Sequence, residues 1–232
     1  MNSPSVLIVG ASRGLGLGLT AEFLARGWCV VATARQPARA EALKALSATN
    51  PGKLSIEAVD IDRREQVAAL RERLLGWTFD IVFVNAGIMG PKHQRAEEAT
   101  REEIAQLFTT NAVAPIALAR QFLDRLRPEG GLLAFMSSRL GSVADNTGGG
   151  TELYRASKAA LNSLSRSLAA ELRDRPIAVL SLHPGWVRTD MGGASAPLAV
   201  ATSARGLVEV LIGRRDSREH AYLDYAGAEI PW

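Results

Sequence analysis

VLIVGASRGLGLGLTAEFLARG, residues 6–27, runs from an apolar β-forming segment through glycines at 10, 14, 16 and 18 into a helix-like apolar pattern. The glycines do not form G-x-G-x-x-G, because Leu19 stands where the third glycine is required. Two other patterns do fit. Gly10-Ala11-Ser12-Arg13-Gly14 is G-x-S-x-G, the nucleophile elbow of a serine hydrolase, and Gly10, Gly14 and Gly16 form G-x-x-x-G-x-G, a looser phosphate-binding turn. An elbow normally follows several earlier strands, whereas Ser12 ends the first one, and no later segment completes a pocket around it. A phosphate turn belongs on a first strand. Gly10 would turn the chain at positive φ, Gly14 and Gly16 would let backbone approach an anion, and the next helix would point its free N–H groups at it, with Ser12 and Leu15 beside the phosphates.

The rest of the chain decides what surrounds this turn. Apolar β-type runs recur at residues 6–10, 29–33, 54–59, 81–85, 131–137, 177–183 and 221–225. Between them lie helical patterns such as 63–75, with Val67, Leu70, Leu74 and Leu75 on one side, and longer ones at 102–127, 152–173 and 202–212. Near-continuous apolar strands alternating with helices mean an α/β, doubly wound, seven-stranded parallel sheet covered on both faces. Its ligand site lies at the carboxyl ends of the strands. With 232 residues and 47% hydrophobic content, one domain is expected.

Composition excludes several functions. A net charge of +3 spread among 24 acids leaves no nucleic-acid footprint. Cys29 reads as a small core residue, and His93, His183 and His220 stand too far apart to form a metal site with sequence neighbours. Met1 is followed by Asn, Ser, Pro and the first strand, and no run is apolar over 18 residues, so a cytoplasmic chain without a membrane segment is expected.

A carboxylate at the end of the second strand would accept from a ribose 2′-OH, but residues 23–40 contain no acid. Arg35 follows that strand and Arg13 sits in the turn. Two guanidiniums suit a 2′-phosphate, so NADP(H) is preferred over NAD(H). The stretch LYRASKAALNSLSRSLAAEL, residues 153–172, reads as a helix with Tyr154 and Lys158 one turn apart on one face. A nearby ammonium would lower the pKa of a phenol that acts as acid or base. Ser138, after the fifth strand, offers a hydroxyl to a substrate oxygen.

Gly10-x-x-x-Gly14-x-Gly16, Asp60, Asn85-Ala86-Gly87, Asn111, Ser138, Tyr154-x-x-x-Lys158 and Pro184-Gly185-x-x-x-Thr189 follow one another along the whole chain. This set resembles the short-chain dehydrogenase/reductase family. SSRLGSVADN, YRASKAALN, HPGWVRTDMGG and the closing YLDYAGAEIPW resemble its C-factor and Sniffer-type carbonyl reductase subgroup. The resemblance implies a Rossmann-type domain with a cofactor-binding part at about 1–138 and a catalytic and substrate part at about 139–232. It also implies hydride transfer between a nicotinamide and a carbonyl or alcohol carbon.

By the same resemblance, Tyr154 would pass the proton, Ser138 would hold the oxygen, and Lys158 would bind the nicotinamide ribose and lower the Tyr154 pKa. Asn111 would support a water in the proton relay. Asp60 and Ile61 would lie against adenine, Asn85, Ala86 and Gly87 would form the cofactor floor, and Pro184, Gly185, Val187 and Thr189 would hold the carboxamide. Met89, Pro91, Arg139, Leu140, Trp186 and Met191 would shape the substrate pocket. They are mostly apolar, and Arg139 leaves room for an acidic group. The glycines at 148–150 read as a mobile loop over the pocket, and the long helices 102–127 and 152–173 as faces of a homodimer or homotetramer. A non-catalytic NADP-binding regulator on the same fold is the alternative that fold alone does not exclude.

Overall fold

The computed structural model describes residues 3–232. Its centre is the fully parallel sheet that the apolar runs predict. The strands are β1 (Ser5–Val9), β2 (Cys29–Ala34), β3 (Leu54–Ala58), β4 (Ile81–Val84), β5 (Gly131–Met136), β6 (Ile177–His183) and β7 (His220–Asp224), in the order β3-β2-β1-β4-β5-β6-β7. Burial on both faces explains the lack of apolar–polar alternation: all five β1 residues and all six of β5 are buried.

The helices divide between the two faces. Helices α1 (Gly14–Ala25), α2 (Glu41–Thr49) and α7 (Val200–Arg214) bury Leu19, Phe23, Leu43 and Leu207 against one face. Helices α3 (Arg64–Arg73), α5 (Ala114–Gln121) and α6 (Glu152–Glu171) bury Val67, Leu70, Ile116, Leu161 and Leu168 against the other. A buried Leu or Phe contributes roughly 1.5–3 kcal/mol each, so these two layers dominate the stability. The chain winds outward from β1 to β3 and returns at β4 beside β1, which places the switch point between those two strands.

Three local expectations change. The helix expected at 102–127 is interrupted: α4 (Arg101–Phe108) passes through a π turn at Thr109–Val113 into α5, then a short 3-10 turn at Leu123–Arg125. The wide turn buries Thr110, Asn111 and Ala112, which uninterrupted 3.6-residue periodicity would not do together. Leu75 falls beyond α3 and is 56% exposed, because the helix ends at Arg73. Cys29 is half-buried at the start of β2, with the Lys53 Nζ 3.9 Å from its sulfur, rather than in the core. Among the described residues, no helix is long and apolar enough to cross a membrane.

Candidate active site

The turn after β1 is built to fit between two strands. Gly10 has φ +88°, and an added Cβ would sit 2.9 Å from the Ala86 Cα. The Gly10 N–H donates to the Thr33 Oγ1 (3.1 Å) on β2, and its carbonyl accepts from the Asn85 Nδ2 (2.6 Å) after β4. Gly16 departs from the expected role. It is buried beneath the turn, where a Cβ would lie 2.7 Å from the Asn85 Nδ2 and 2.8 Å from the Ala11 Cα, so it lets the helix pack under the turn instead of clearing room for an anion. The α1 N-terminus has no side-chain cap and no acid in its first turn, leaving N–H groups free for an anion.

A cleft of about 890 Å³ runs along the carboxyl ends of the strands. Gly10, Ser12, Arg13, Gly14, Leu15, Arg35, Asp60, Ile61, Asn85, Ala86 and Gly87 line it on one side of the sheet. Ser138, Tyr154, Lys158, Pro184, Gly185, Val187 and Thr189 line the remainder, with Met89, Arg139, Leu140, Trp186 and Met191. Of the expected set, Gly16, Asn111 and Pro91 do not line it. Ser12 is exposed and hydrogen-bonds to no histidine or carboxylate among the described residues, so the hydrolase reading lacks its base.

Tyr154 and Lys158 face inward from α6, 7% and 3% exposed. Burial pushes the phenol up to about 12, opposed by its hydrogen bond with Ser138, and pushes the lysine down to about 8. The Lys158 Nζ donates to the Met136 carbonyl (2.8 Å) and lies 5.8 Å from the centre of the Tyr154 ring. At the phenol desolvation is the largest cause, and the Lys158 ammonium, 5.8 Å from the ring centre, is not among the groups that offset it. Ser138 is buried. Its Oγ accepts from the Leu140 N–H (3.2 Å), and its carbonyl accepts from the Tyr222 hydroxyl.

Asn111 is buried beside the cleft. Its Nδ2 donates to the Ile88 carbonyl (2.8 Å) and the Ser157 Oγ (3.0 Å), and its Oδ1 accepts from the Ile88 N–H (2.8 Å). Both amide hydrogens are engaged, so its side chain anchors the segment after β4, and a relay water would have to be held through an acceptor oxygen of this residue. Arg13 is paired with Asp190 across the cleft mouth, whereas Arg35 is exposed and forms no ion pair among the described residues. Arg139 already faces Asp145 (3.1 Å) and Asp224 (3.9 Å), which leaves little positive charge for an acidic substrate group. The glycines at 148–150 are exposed and do not line the cleft, and the Arg155 Nε holds the carbonyls of Gly149 (3.2 Å) and Gly150 (2.9 Å).

Several cleft residues were missed by the sequence reading. Thr33, Asp62, Gln106, Thr110 and His183 all line it. The Asp62 Oδ2 accepts from the Gln106 Nε2 and Thr110 Oγ1 (both 2.7 Å), joining the β3–α3 loop to α4. Of these, His183 and Asp62 carried a sequence signal, being adjacent to Pro184-Gly185 and to Asp60-Ile61. The other contacts join segments distant in sequence.

Comparison with known proteins agrees with this geometry. A family model described as short chain dehydrogenase matches residues 4–197. The C-signal protein of Myxococcus xanthus is 40% identical over 155 residues, 66% of this chain and 92% of that protein. The structure of a carbonyl reductase from Pseudomonas aeruginosa PAO1 in complex with NADP superposes with a TM-score of 0.93 at 44% identity, covering 100% of both chains. The carbonyl reductase Sniffer of D. melanogaster superposes with a TM-score of 0.89 at 34% identity, again over 100% of both. The parallel sheet, the glycine turn and the inward-facing tyrosine and lysine therefore have one source: the chain belongs to the short-chain dehydrogenase family of oxidoreductases.

Proposed function

We propose that this protein is an NADP(H)-dependent carbonyl reductase acting on a small or medium, largely apolar and uncharged carbonyl compound. The observation that carries the reading is the convergence of Ser138, Tyr154 and Lys158 on the same cleft as the uncapped α1 N-terminus and Arg35. The cleft fits the cofactor. Free N–H groups of α1 suit a pyrophosphate, Arg35 and Arg13 suit a 2′-phosphate once Arg13 leaves Asp190, and a Cβ on Gly87 would press on the Lys158 Nζ at 3.3 Å. Asp60 and Ile61 would border the adenine, Asn85 to Gly87 the floor, and Pro184 to Thr189 the nicotinamide end, so most cofactor contacts come from residues up to about 138 and the reacting groups from there on. The relatives named carbonyl reductases, one in complex with NADP, support the same assignment.

When bound, the cofactor supplies the hydride. The protein supplies position and the proton. With its pKa near 12 the Tyr154 phenol is fully protonated at neutral pH, the form needed to donate to a carbonyl oxygen. The Ser138 hydroxyl would donate to the same oxygen, and the Lys158 ammonium would stabilise negative charge developing beside it. Met89, Leu140, Trp186 and Met191 would contact the apolar part of the substrate, and the carboxylates around Arg139 favour a neutral one.

Tyr154→Phe tests the reading, because it removes one oxygen and keeps the ring. Single-turnover NADPH oxidation with the best carbonyl from a panel is expected to fall about 10² to 10⁴-fold with NADPH affinity retained. Wild-type turnover in that variant overturns the mechanism. A wild type that binds NADPH and reduces nothing supports the regulator alternative instead.

The proposal extends to a cytoplasmic location and a homodimer or homotetramer. The exposed Ile104 on α4 and Val113 on the π turn, both elements that pack on α6, support the assembly, while Leu168 and Leu172 of the apolar α6 set are buried against the sheet. A monomer by light scattering at micromolar concentration refutes it.

A further inference from the structure

Helix α6, which carries the proton donor, has no cap of its own. Thr151 precedes it in the left-handed region at φ +45° and makes no side-chain cap hydrogen bond. Its first-turn N–H groups need acceptors, and burial makes an unsatisfied one costly. Those acceptors come from a residue about sixty positions earlier in the chain. The Gln94 Oε1 accepts from the Tyr154 N–H (3.0 Å), and the Gln94 carbonyl accepts from the Leu153 N–H (3.4 Å).

The other end of the same amide reaches elsewhere. The Gln94 Nε2 donates to the carbonyls of Met89 (2.8 Å) and Pro91 (2.6 Å), so both its hydrogens hold the loop that follows β4. Gln94 is 8% exposed and sits at φ +58°, a conformation that glutamine rarely adopts. Its surroundings hold it there. Glu152, at the start of α6, accepts from the Ala96 N–H (3.1 Å) on the far side of Gln94, and Asn111 fixes Ile88 at the near end of the loop.

We propose that Gln94 is a positioning residue. It sets the separation between Tyr154 on α6 and Met89, which lines the cleft, by capping the helix with one end of its amide and holding the loop through Met89 and Pro91 with the other. The inference rests on the carbonyl reductase reading for its catalytic consequence, but not for its structural one. An asparagine at 94 keeps the amide and tolerates positive φ, yet is one methylene too short to reach both sides. A glutamate keeps an acceptor for the Tyr154 N–H and places a carboxylate against two carbonyl oxygens.

The test combines amide hydrogen exchange, NADPH titration and carbonyl-reduction kinetics on wild type, Gln94→Asn and Gln94→Glu. In Gln94→Asn, exchange is expected to rise about tenfold at both 151–155 and 89–93 relative to the rest of the chain. In Gln94→Glu the rise is confined to 89–93. In both variants kcat/KM for the carbonyl falls about tenfold or more while the NADPH Kd stays within about twofold, since Gln94 does not touch the cofactor part of the cleft. Unchanged exchange at either segment in Gln94→Asn overturns the proposal, as does a kinetic loss accounted for by the NADPH Kd alone. If wild type reduces no carbonyl while the exchange pattern holds, the clamp stands and the reductase reading fails. If wild type reduces carbonyls and both variants match it, the clamp fails and the reading stands.

Discussion

Gly16→Ala separates two explanations of the glycine turn. If Gly16 only cleared space for a phosphate, alanine would lower cofactor affinity and leave the protein as stable or more so, because alanine in place of glycine gains about 1 kcal/mol in a helix. The packing argues otherwise. The added Cβ would stand 2.7 Å from the Asn85 Nδ2, 2.8 Å from the Ala11 Cα and closer still to the Gly10 carbonyl oxygen, and the backbone atoms among these cannot rotate away. Overpacking of this kind costs about 1–3 kcal/mol. Displacing the Gly10 carbonyl also weakens its 2.6 Å hydrogen bond from the Asn85 Nδ2, worth about 1 kcal/mol. That loss and the helix gain offset each other, so a net destabilisation of about 1–3 kcal/mol remains, or a Tm lowered by roughly 2 to 12 °C for a chain of this size. The assay is thermal and urea unfolding of the cofactor-free protein, which removes any contribution from binding. A Gly16→Ala protein with a Tm equal to or above wild type refutes the packing argument.

Arg35→Ala is expected to weaken NADPH about tenfold or more and leave NADH unchanged, because a charge-assisted contact contributes about 1.5–3 kcal/mol; equal losses for both cofactors in parallel titrations contradict its role. Burial, with Arg139 nearby, holds His183 down to about 4 against an ordinary value near 6.5. The unfolded chain therefore binds a proton that the folded one refuses, and stability falls as pH drops from about 6.5 towards 4, by about 3 kcal/mol for this residue. Comparing urea midpoints at neutral and acid pH for wild type and His183→Asn checks this, and an equal acid loss in the variant argues against it.

The sheet was legible in the sequence because its cause is local composition. A strand buried on both faces must be almost wholly apolar, and the seven runs matched the seven strands to within about a residue at each end. Tyr154 and Lys158 were legible because helical periodicity places i and i+4 on one face. The glycine turn was legible in position but not in reason, since Gly10 and Gly16 meet atoms of Ala86 and Asn85, residues brought close only when β4 pairs with β1.

What tertiary structure alone decided has the same physical character throughout: it depends on groups distant in sequence. The sequence was read as one helix through 102–127, and the π turn that buries Asn111 against Ile88 and Ser157 is seen only in the fold. Spacing placed a lysine near a phenol, but the depth of the site determined that desolvation, not the cation, governs the phenol. Arg139 and Arg13 read as free charges until the fold brought Asp145, Asp224 and Asp190 to them. Gln94 gave no signal at all, because the chain sets only its identity, while its partners at 89, 91, 153 and 154 come together only when the loop after β4 packs on the start of α6.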